Sequence, residues 1–366
     1  MYILSLYDNH EYYLTENVVV MPISKDTLFS KETRFIYNKF KSMLNSKNNF
    51  DFILFFMKYM TKYMGKQILN KISSLQLDVI QAEQELAGSI LANNKDLFSI
   101  PIFYDIHGIW QEELVANNKI KYNSNKYKNI IQLEEFIINS MTSVFVVSEE
   151  MKTYVTNNYL INNKNIYVIP NAAFSRISDR SFEKFASKVC YAGSVTYRED
   201  MNLLLKSYQY IGSNRQNTQF YLSNKGDALK DVKSYANKLN LKLDYFWFEN
   251  FDEFYPFLSK CHVGTIPALK HRWRQMATPA KLYDYLSVGV PVISVDIGSS
   301  WCDIIKKNDV GLLTSNDPIE FGDAVIYLLD NPDLIYKFGN NAIKLVKTKL
   351  NYKNSAENLI KIYKKL

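Results

Sequence analysis

The stretch RWRQMATPAKLYDYLSVGVPVIS, residues 272–294, is the most informative in the chain. Thr278 followed by Pro279 reads as a helix N-cap with proline at the first helical position. Leu282, Leu286 and Gly289 share one face of the helix that follows and predict packing on a sheet. Lys281 and Asp284, three residues apart, share another face. Residues 291–295, PVISV, then have the length and composition of a strand buried on both sides. A helix feeding an apolar strand is the unit of a parallel sheet with crossover helices.

The same alternation runs outward in both directions. Towards the N-terminus, apolar runs occur at 2–6, 18–21, 79–82, 100–104, 144–147 and 166–169; from 188 onward they recur at 188–191, 219–222, 243–248, 263–266 and 311–314, besides 291–295. Two series of about six strands predict an α/β chain of two doubly wound, Rossmann-like domains, as does the length of 366 residues at roughly 150 per domain. Periodicity is lost over 171–187, so the expected division is 1–173, a linker at 174–187, and 188–350. Helices are expected near 319–329, 332–349 and 355–364, the last within a tail, 351–366, that folds back towards the first domain. Hydrophobic residues at 47% and charged residues at 22% exclude a disordered or collagen-like chain.

No apolar run approaches the roughly 20 residues of a spanning helix. The N-terminus, MYILSLYDNHEYYL, is acidic where a secretory signal begins basic. Cys190, Cys261 and Cys302 are odd in number and far apart, so neither a disulfide framework nor a zinc cluster is expected, and a reducing cytoplasm is the expected compartment.

The net charge of +7 resides in one segment. Between residues 25 and 71 the chain carries Lys25, Lys31, Arg34, Lys39, Lys41, Lys47, Lys58, Lys62, Lys66 and Lys71 against Asp26, Glu32 and Asp51; elsewhere the signs cancel. Ile53, Phe56, Met57, Met60 and Met64 recur at helical spacing, with Lys58, Lys62 and Lys66 on another face. Two readings stand: a core-facing helix with a solvated lysine row, or an amphipathic helix lying on an anionic membrane surface through residues 25–72. Nucleic acid is not an expected partner, because no nucleic-acid-binding signature is matched.

Glycine is lopsided. Only Gly65, Gly88 and Gly108 precede residue 190, so a G-x-G-x-x-G fingerprint after the first strand is absent, as is a P-loop. Apparatus for phosphate is therefore sought in the second half. In CYAGSVTYRED (190–200) a buried strand ends at Gly193, and a polar loop opens a helix whose apolar face is Met201, Leu204, Leu205, Tyr208 and Ile211. Thr196 and Glu199 have the spacing of a capping box. The helix start suits a diphosphate, with Gly193 permitting close approach and Arg198 supplying a forked donor. Likewise the N–H groups of Ala280, Lys281 and Leu282 are expected to face an anion, with the Lys281 charge beside them and Asp284 placed to accept from ribose hydroxyls. The structural alternatives are a routine strand–turn–helix joint and a capped helix with a solvated Lys–Asp pair.

Together these residues resemble the donor-binding domain of the retaining GT-B glycosyltransferases of family 4 (group 1). The matching pieces are YAGS (191–194) before a charged helix start, TPAKLYDYLSVGVPVISVDIG (278–298) and GLLTSND (311–317). In the first half, IPIFYDIHG (100–108), SVFVVSEEMKTYV (143–155) and NIYVIPNAAF (165–174) resemble the acceptor-side strands, so the likeness spans roughly 76–366. It implies a GT-B fold whose domains face each other across a cleft, an acceptor domain first and a donor domain second. It also implies transfer of a sugar, a hexose foremost, from a UDP- or GDP-sugar to a saccharide or lipid-linked saccharide. By the same resemblance Asp284 binds the ribose; Gly193, Ser194, Arg198 and Lys281 meet the diphosphate, with Thr278, Ala280 and Leu282 at the helix start. Phe248 and Glu249 grip the base, the loop 271–275 with Arg274 faces the sugar or its phosphates, and His107 lies beside the transferred sugar.

The chain departs from that pattern in two places. The family's acidic motif has two glutamates eight positions apart; Asp284 stands for the second, and Met276 occupies the first, so a contact to the donor sugar is either missing or supplied by another residue, Gln275 or Arg274. The first strand lacks the acceptor-side glycine loop. No D-x-D motif or clustered ligand spacing occurs, so no metal or other cofactor is expected; helix starts with Arg198 and Lys281 are to stabilise the leaving diphosphate. No pair of carboxylates is singled out as in retaining hydrolases. A catalytically silent GT-B relative that binds nucleotide or glycan as a partner subunit, and a nucleotide-sugar epimerase, are the alternative functions.

Overall fold

The computed structural model describes residues 2–5, 12–15, 18–22, 61, 65, 69–70, 72–117, 119–162, 165–177 and 187–365. Nearly all of the basic amphipathic segment at 25–72 lies outside the described residues. The chain divides into two compact units. The first comprises Met1–Ile106, Asn118–Phe145 and Asn158–Tyr167; the second comprises His107–Asn117, Val146–Asn157 and Val168–Leu366.

The N-terminal strands are β1 (Tyr2–Ser5), β2 (Tyr12–Thr15) and β3 (Val18–Pro22). They form their own three-stranded sheet, ordered β1-β3-β2, in which β1 pairs β3 in parallel and β2 pairs β3 antiparallel. The expected runs at 2–6 and 18–21 are thus strands, but among the described residues they do not join the main parallel sheet. That sheet is ordered β4-β5-β6-β7, from β4 (Ile80–Glu83), β5 (Ile102–Ile106), β6 (Ser143–Val146) and β7 (Asn165–Val168). Phe103 and Phe145 stack at 5.0 Å in its core. Helix Gln84–Ala92 approaches closely because Gly88 leaves room for the Tyr104 ring, which a Cβ there would meet at 2.9 Å.

The second unit holds a six-stranded parallel sheet: β8 (Ser187–Tyr191), β9 (Thr218–Ser223), β10 (Asp244–Phe246), β11 (Val263–Ile266), β12 (Val292–Val295) and β13 (Gly311–Thr314). The order is β10-β9-β8-β11-β12-β13. The chain winds outward from β8 to β10, then returns to the other side of β8 and winds outward again. Between β8 and β11 the winding direction therefore reverses, and in open α/β sheets the crevice outside the carboxyl ends at such a point receives ligands. All six strands lie where the apolar runs place them.

The expected apolar face of helix Met201–Asn214 is buried throughout, as are Leu282 and Leu286 of helix Ala280–Ser287. That helix ends in a Schellman motif, with the Gly289 N–H on the Leu286 carbonyl (3.1 Å), the Val290 N–H on that of Tyr285 (2.9 Å) and Gly289 at φ +65°. Helices Pro318–Asp330, Pro332–Thr348 and Tyr352–Tyr363 close the chain near the expected positions. Among the described residues no helix is long and apolar enough to cross a membrane.

Two expected caps are not used. Thr278 does not cap helix Ala280–Ser287; Pro279 occupies that position with extended backbone, and the Leu282 N–H is taken by the Pro279 carbonyl at 3.0 Å. Glu199 makes no capping box with Thr196. Asp200 caps helix Met201–Asn214 by accepting from the Leu203 N–H at 2.9 Å, so this helix presents a carboxylate rather than a bare positive end.

Candidate active site

The loops leaving β8 and β11 meet at the reversal point. Residues 192–200 follow β8, and helix Arg272–Met276, one turn long, follows β11; the segment expected to be a loop at 271–275 is mostly that turn. Helix Ala280–Ser287 comes next, and its Lys281 side chain runs back beside Gly193.

Lys281 does not pair with Asp284 at the water surface. Its Nζ donates to Glu199 Oε1, and Arg274 Nη2 donates to the same oxygen at 2.6 Å. All three side chains are at least nine-tenths buried. Burial pulls the Lys281 ammonium below the ordinary lysine range, Arg274 adds to that effect, and Glu199 opposes it. Lys281 Nζ also lies 4.9 Å from the Tyr191 ring centroid. Glu199 Oε2, Arg274 Nε and Trp273 Nε1 are buried without a hydrogen-bond partner.

Arg198 stands at the edge of this cluster, 40% exposed, with Nη1 3.1 Å from Glu113 Oε2. Glu113 is seated against Gly108, where a Cβ would meet its Oε1 at 2.2 Å. Burial raises the Glu113 carboxyl, while Arg198 and Arg274 pull it back. Both guanidiniums, of Arg198 and Arg274, lie over the Trp273 ring, at 5.8 and 5.4 Å.

Asp284 occupies the other face of the helix start. Its Oδ1 accepts from the Tyr255 hydroxyl at 3.0 Å, and the Arg176 guanidinium lies 4.5 Å over the Tyr255 ring. Burial raises the Asp284 carboxyl above its ordinary range; Tyr255, Lys281 and Arg176 counter that. Tyr255, desolvated beside a carboxylate, is pushed up to about 12.

The remaining expected residues scatter around this centre. Ser194 is exposed, with its carbonyl accepting from the Tyr191 hydroxyl at 2.9 Å. Ala280 is exposed at the helix start, Thr278 is half-buried, and the Leu282 side chain belongs to the hydrophobic core. Phe248 packs on Phe246 and Phe257 (6.0 and 5.3 Å), in front of the helix that carries Tyr255; Glu249 beside it is exposed. His107 follows β5 directly and is exposed. Neither substitute for the missing acidic residue is unengaged: Gln275 donates to the Ile297 carbonyl at 2.7 Å, and Arg274 Nη2 is taken by Glu199. Met276 itself is buried, with its carbonyl accepting from Ser148 Oγ at 2.6 Å.

Sequence reasoning missed Glu199, Glu113, Tyr255 and Arg176 as members of this arrangement. Gly108 was the one local sign of Glu113, a glycine that nothing in its own turn requires.

Residues 18–173 match the family model for Glycosyltransferase Family 4, and residues 186–331 match that for Glycosyl transferases group 1. No curated protein sequence matches the chain. Among solved structures, sucrose-phosphate synthase from Thermosynechococcus elongatus aligns with TM-score 0.70 at 14% identity, over 100% of this chain and 88% of that one. Anabaena HepE in complex with UDP and glucose aligns with TM-score 0.67 at 12% identity, over 82% and 81%. S. aureus TarM in complex with fondaparinux, alpha-GlcNAc-glycerol and UDP aligns with TM-score 0.62 at 15% identity, over 81% of this chain and 58% of that one. These likenesses show the fold, GT-B.

Proposed function

The chain is a glycosyltransferase of the group 1, family 4 type, and we propose that it moves a hexosyl group from a UDP- or GDP-sugar to a saccharide or lipid-linked saccharide acceptor, with retention of anomeric configuration. One observation carries this reading: Lys281, Arg274 and Arg198 gather beside Gly193 at the reversal point of the second sheet, with Asp284 on the same helix start as Lys281.

Glycosyl transfer concentrates charge on the departing diphosphate while the anomeric carbon becomes cation-like. Donors fixed before the reaction stabilise that charge best, because they need no reorganisation as the bond breaks. Arg198, with its partly exposed fork, and Lys281, at the open end of helix Ala280–Ser287, are the diphosphate ligands, and Gly193 and Ser194 bring backbone close to it. Asp284 keeps Oδ2 for the ribose hydroxyls while Oδ1 holds Tyr255. Phe248 and Glu249 flank the base, and His107 lies on the sugar side. In this scheme residues 188–350 bind the donor and 1–173 bind the acceptor.

With cations supplied by the chain itself, transfer needs no metal or other cofactor. HepE was solved with UDP and glucose and TarM with UDP and a saccharide, which fits a uridine nucleotide and a glycan as partners. The basic segment at 25–71 suits a peripheral position on an anionic membrane, where a lipid-linked acceptor resides.

Titration calorimetry with UDP, GDP and ADP, followed by transfer assays with sugars of the nucleotide that binds, tests the reading. Binding of UDP or GDP, with an α-linked product from an α-linked donor by NMR, supports it. Binding of none of the three, or an inverted product, overturns it.

A further inference from the structure

We propose that Glu199 is a positioning residue, whose buried carboxylate holds Lys281 and Arg274 side by side as charged donors to the diphosphate. The proposal rests on the donor-site reading above and adds a residue that the motif pattern assigns to a helix cap.

The charge count points this way. Two cations from different elements share a single carboxylate oxygen, so within this hydrogen-bonded trio one positive charge has no bonded counter-charge; the nearby Asp284 and Glu113 act on Lys281 and Arg274 through space and are hydrogen-bonded to Tyr255 and Arg198. Arg274 Nε and Glu199 Oε2 remain without partners, although both residues are more than nine-tenths buried. A buried net charge with unspent hydrogen-bonding capacity is costly unless something completes it. An anion seated at the edge of the cluster, where Arg198 lies over the same Trp273 ring as Arg274, completes the charge.

The groups facing Lys281 are Glu199 from the loop after β8, Arg274 from the turn after β11, Asp284 on its own helix and the Tyr191 ring on β8. Burial and Arg274 act to remove the Lys281 proton, whereas Glu199 is the foremost group acting to keep it. A lysine that has lost its proton is no longer a phosphate ligand. Glu199 therefore extends the pH range over which the site carries its charge, and it also fixes the two side chains in space.

The test is the dissociation constant of UDP and of GDP by titration calorimetry from pH 7 upward, above the last phosphate pKa of roughly 6, each profile being read against that of Lys281→Arg, which carries the alkaline titration of the uracil or guanine ring alone. In the wild type, affinity falls as Lys281 deprotonates. Glu199→Gln keeps the shape of the side chain and removes its charge, so the fall is expected at lower pH. Near pH 7 affinity changes by less than about tenfold. Glu199→Asp keeps the wild-type position of the fall, and Lys281→Arg removes the part of the fall due to Lys281 in either background because arginine does not titrate in this range. A purely structural role for Glu199 weakens binding equally at every pH, and that result overturns the proposal. So does an alkaline fall in Lys281→Arg as early and as steep as that of the wild type. If Glu199→Gln does not fold, Glu199→Ala carries the same test: a fall moved to lower pH supports the role, and an unmoved fall overturns it. A wild-type protein that binds neither nucleotide at any pH refutes the donor-site reading itself, and the role of Glu199 falls with it.

Discussion

Lys281 lies so close to Gly193 that a Cβ built on the glycine meets its Cε at 2.3 Å. The end of a lysine side chain ordinarily moves aside cheaply, but this one is buried and held by Glu199. Gly193→Ala therefore forces Lys281 out of its ion pair. We expect UDP or GDP affinity to fall at least tenfold, with a modest loss of thermal stability. Calorimetry and a thermal melt check both; unchanged affinity means that Lys281 is not a ligand of the nucleotide.

Arg198→Ala and Asp284→Ala are each expected to lower transfer activity at least tenfold while the chain stays folded. Arg198 is partly exposed, so losing its pair with Glu113 costs about 1 kcal/mol or less of stability. Steady-state rates with circular dichroism melts separate the two effects. Wild-type turnover in both variants refutes the donor-site assignment.

The Asp284 carboxylate gives the site an acid limit. Burial raises its carboxyl, so the charged form, the ribose acceptor of the proposed site, is lost, as pH falls, earlier than for an ordinary aspartate. The Tyr255 hydroxyl counters that rise. Tyr255→Phe removes the counterweight, and the acid limb of kcat/KM for the donor moves to higher pH. A limb that stays in place or moves down shows that Asp284 does not set it.

Chelation with EDTA should leave the transfer rate within twofold of the untreated enzyme if, as proposed, Lys281, Arg274 and Arg198, which gather in one cluster, supply the positive charge at the diphosphate. A loss of activity restored by added Mg2+ or Mn2+ contradicts this.

The second sheet was legible because its central strands carry apolar runs, VGTI at β11 and VISV at β12 being buried throughout. A strand buried on both faces announces itself without knowledge of its neighbours. The hairpin strand Tyr12–Thr15 did not, because it mixes aromatic and polar residues in a short segment. The sheet formed by β1, β2 and β3 was missed with it. Glu199 shows the limit most plainly. Its spacing from Thr196 fits a capping box, a local pattern, yet its partner is a lysine 82 residues further on. Local spacing states what a side chain can reach nearby; the reversal of winding between β8 and β11 decides what it reaches. Thr278 followed the same logic, its capping template matched while the extended backbone at Pro279 took the position.

Tyr285 ties the donor-site helix to the end of β8, and its removal gives a stability prediction. Its hydroxyl accepts from the Ala192 N–H at 2.7 Å and lies 3.0 Å from the Cys190 carbonyl, to which it donates. Its ring fills the space that Gly264 of β11 leaves open, since a Cβ there would approach ring carbons to 2.6 Å. Tyr285→Phe keeps the ring and leaves the buried Ala192 N–H without its acceptor, a cost of about 1–3 kcal/mol, while the Cys190 carbonyl keeps the Thr265 hydroxyl at 3.1 Å. Gly264→Ala pushes the ring away from strand β11 at a cost of similar size, typically 1–3 kcal/mol for overpacking. Both variants should unfold at lower denaturant with unchanged slope. Both should also weaken nucleotide affinity, because Ala192 adjoins Gly193 and the loop that holds Glu199. If Tyr285→Phe destabilises the fold but binds nucleotide as tightly as the wild type, the loop after β8 keeps its shape without this tether, and the coupling argued here is wrong.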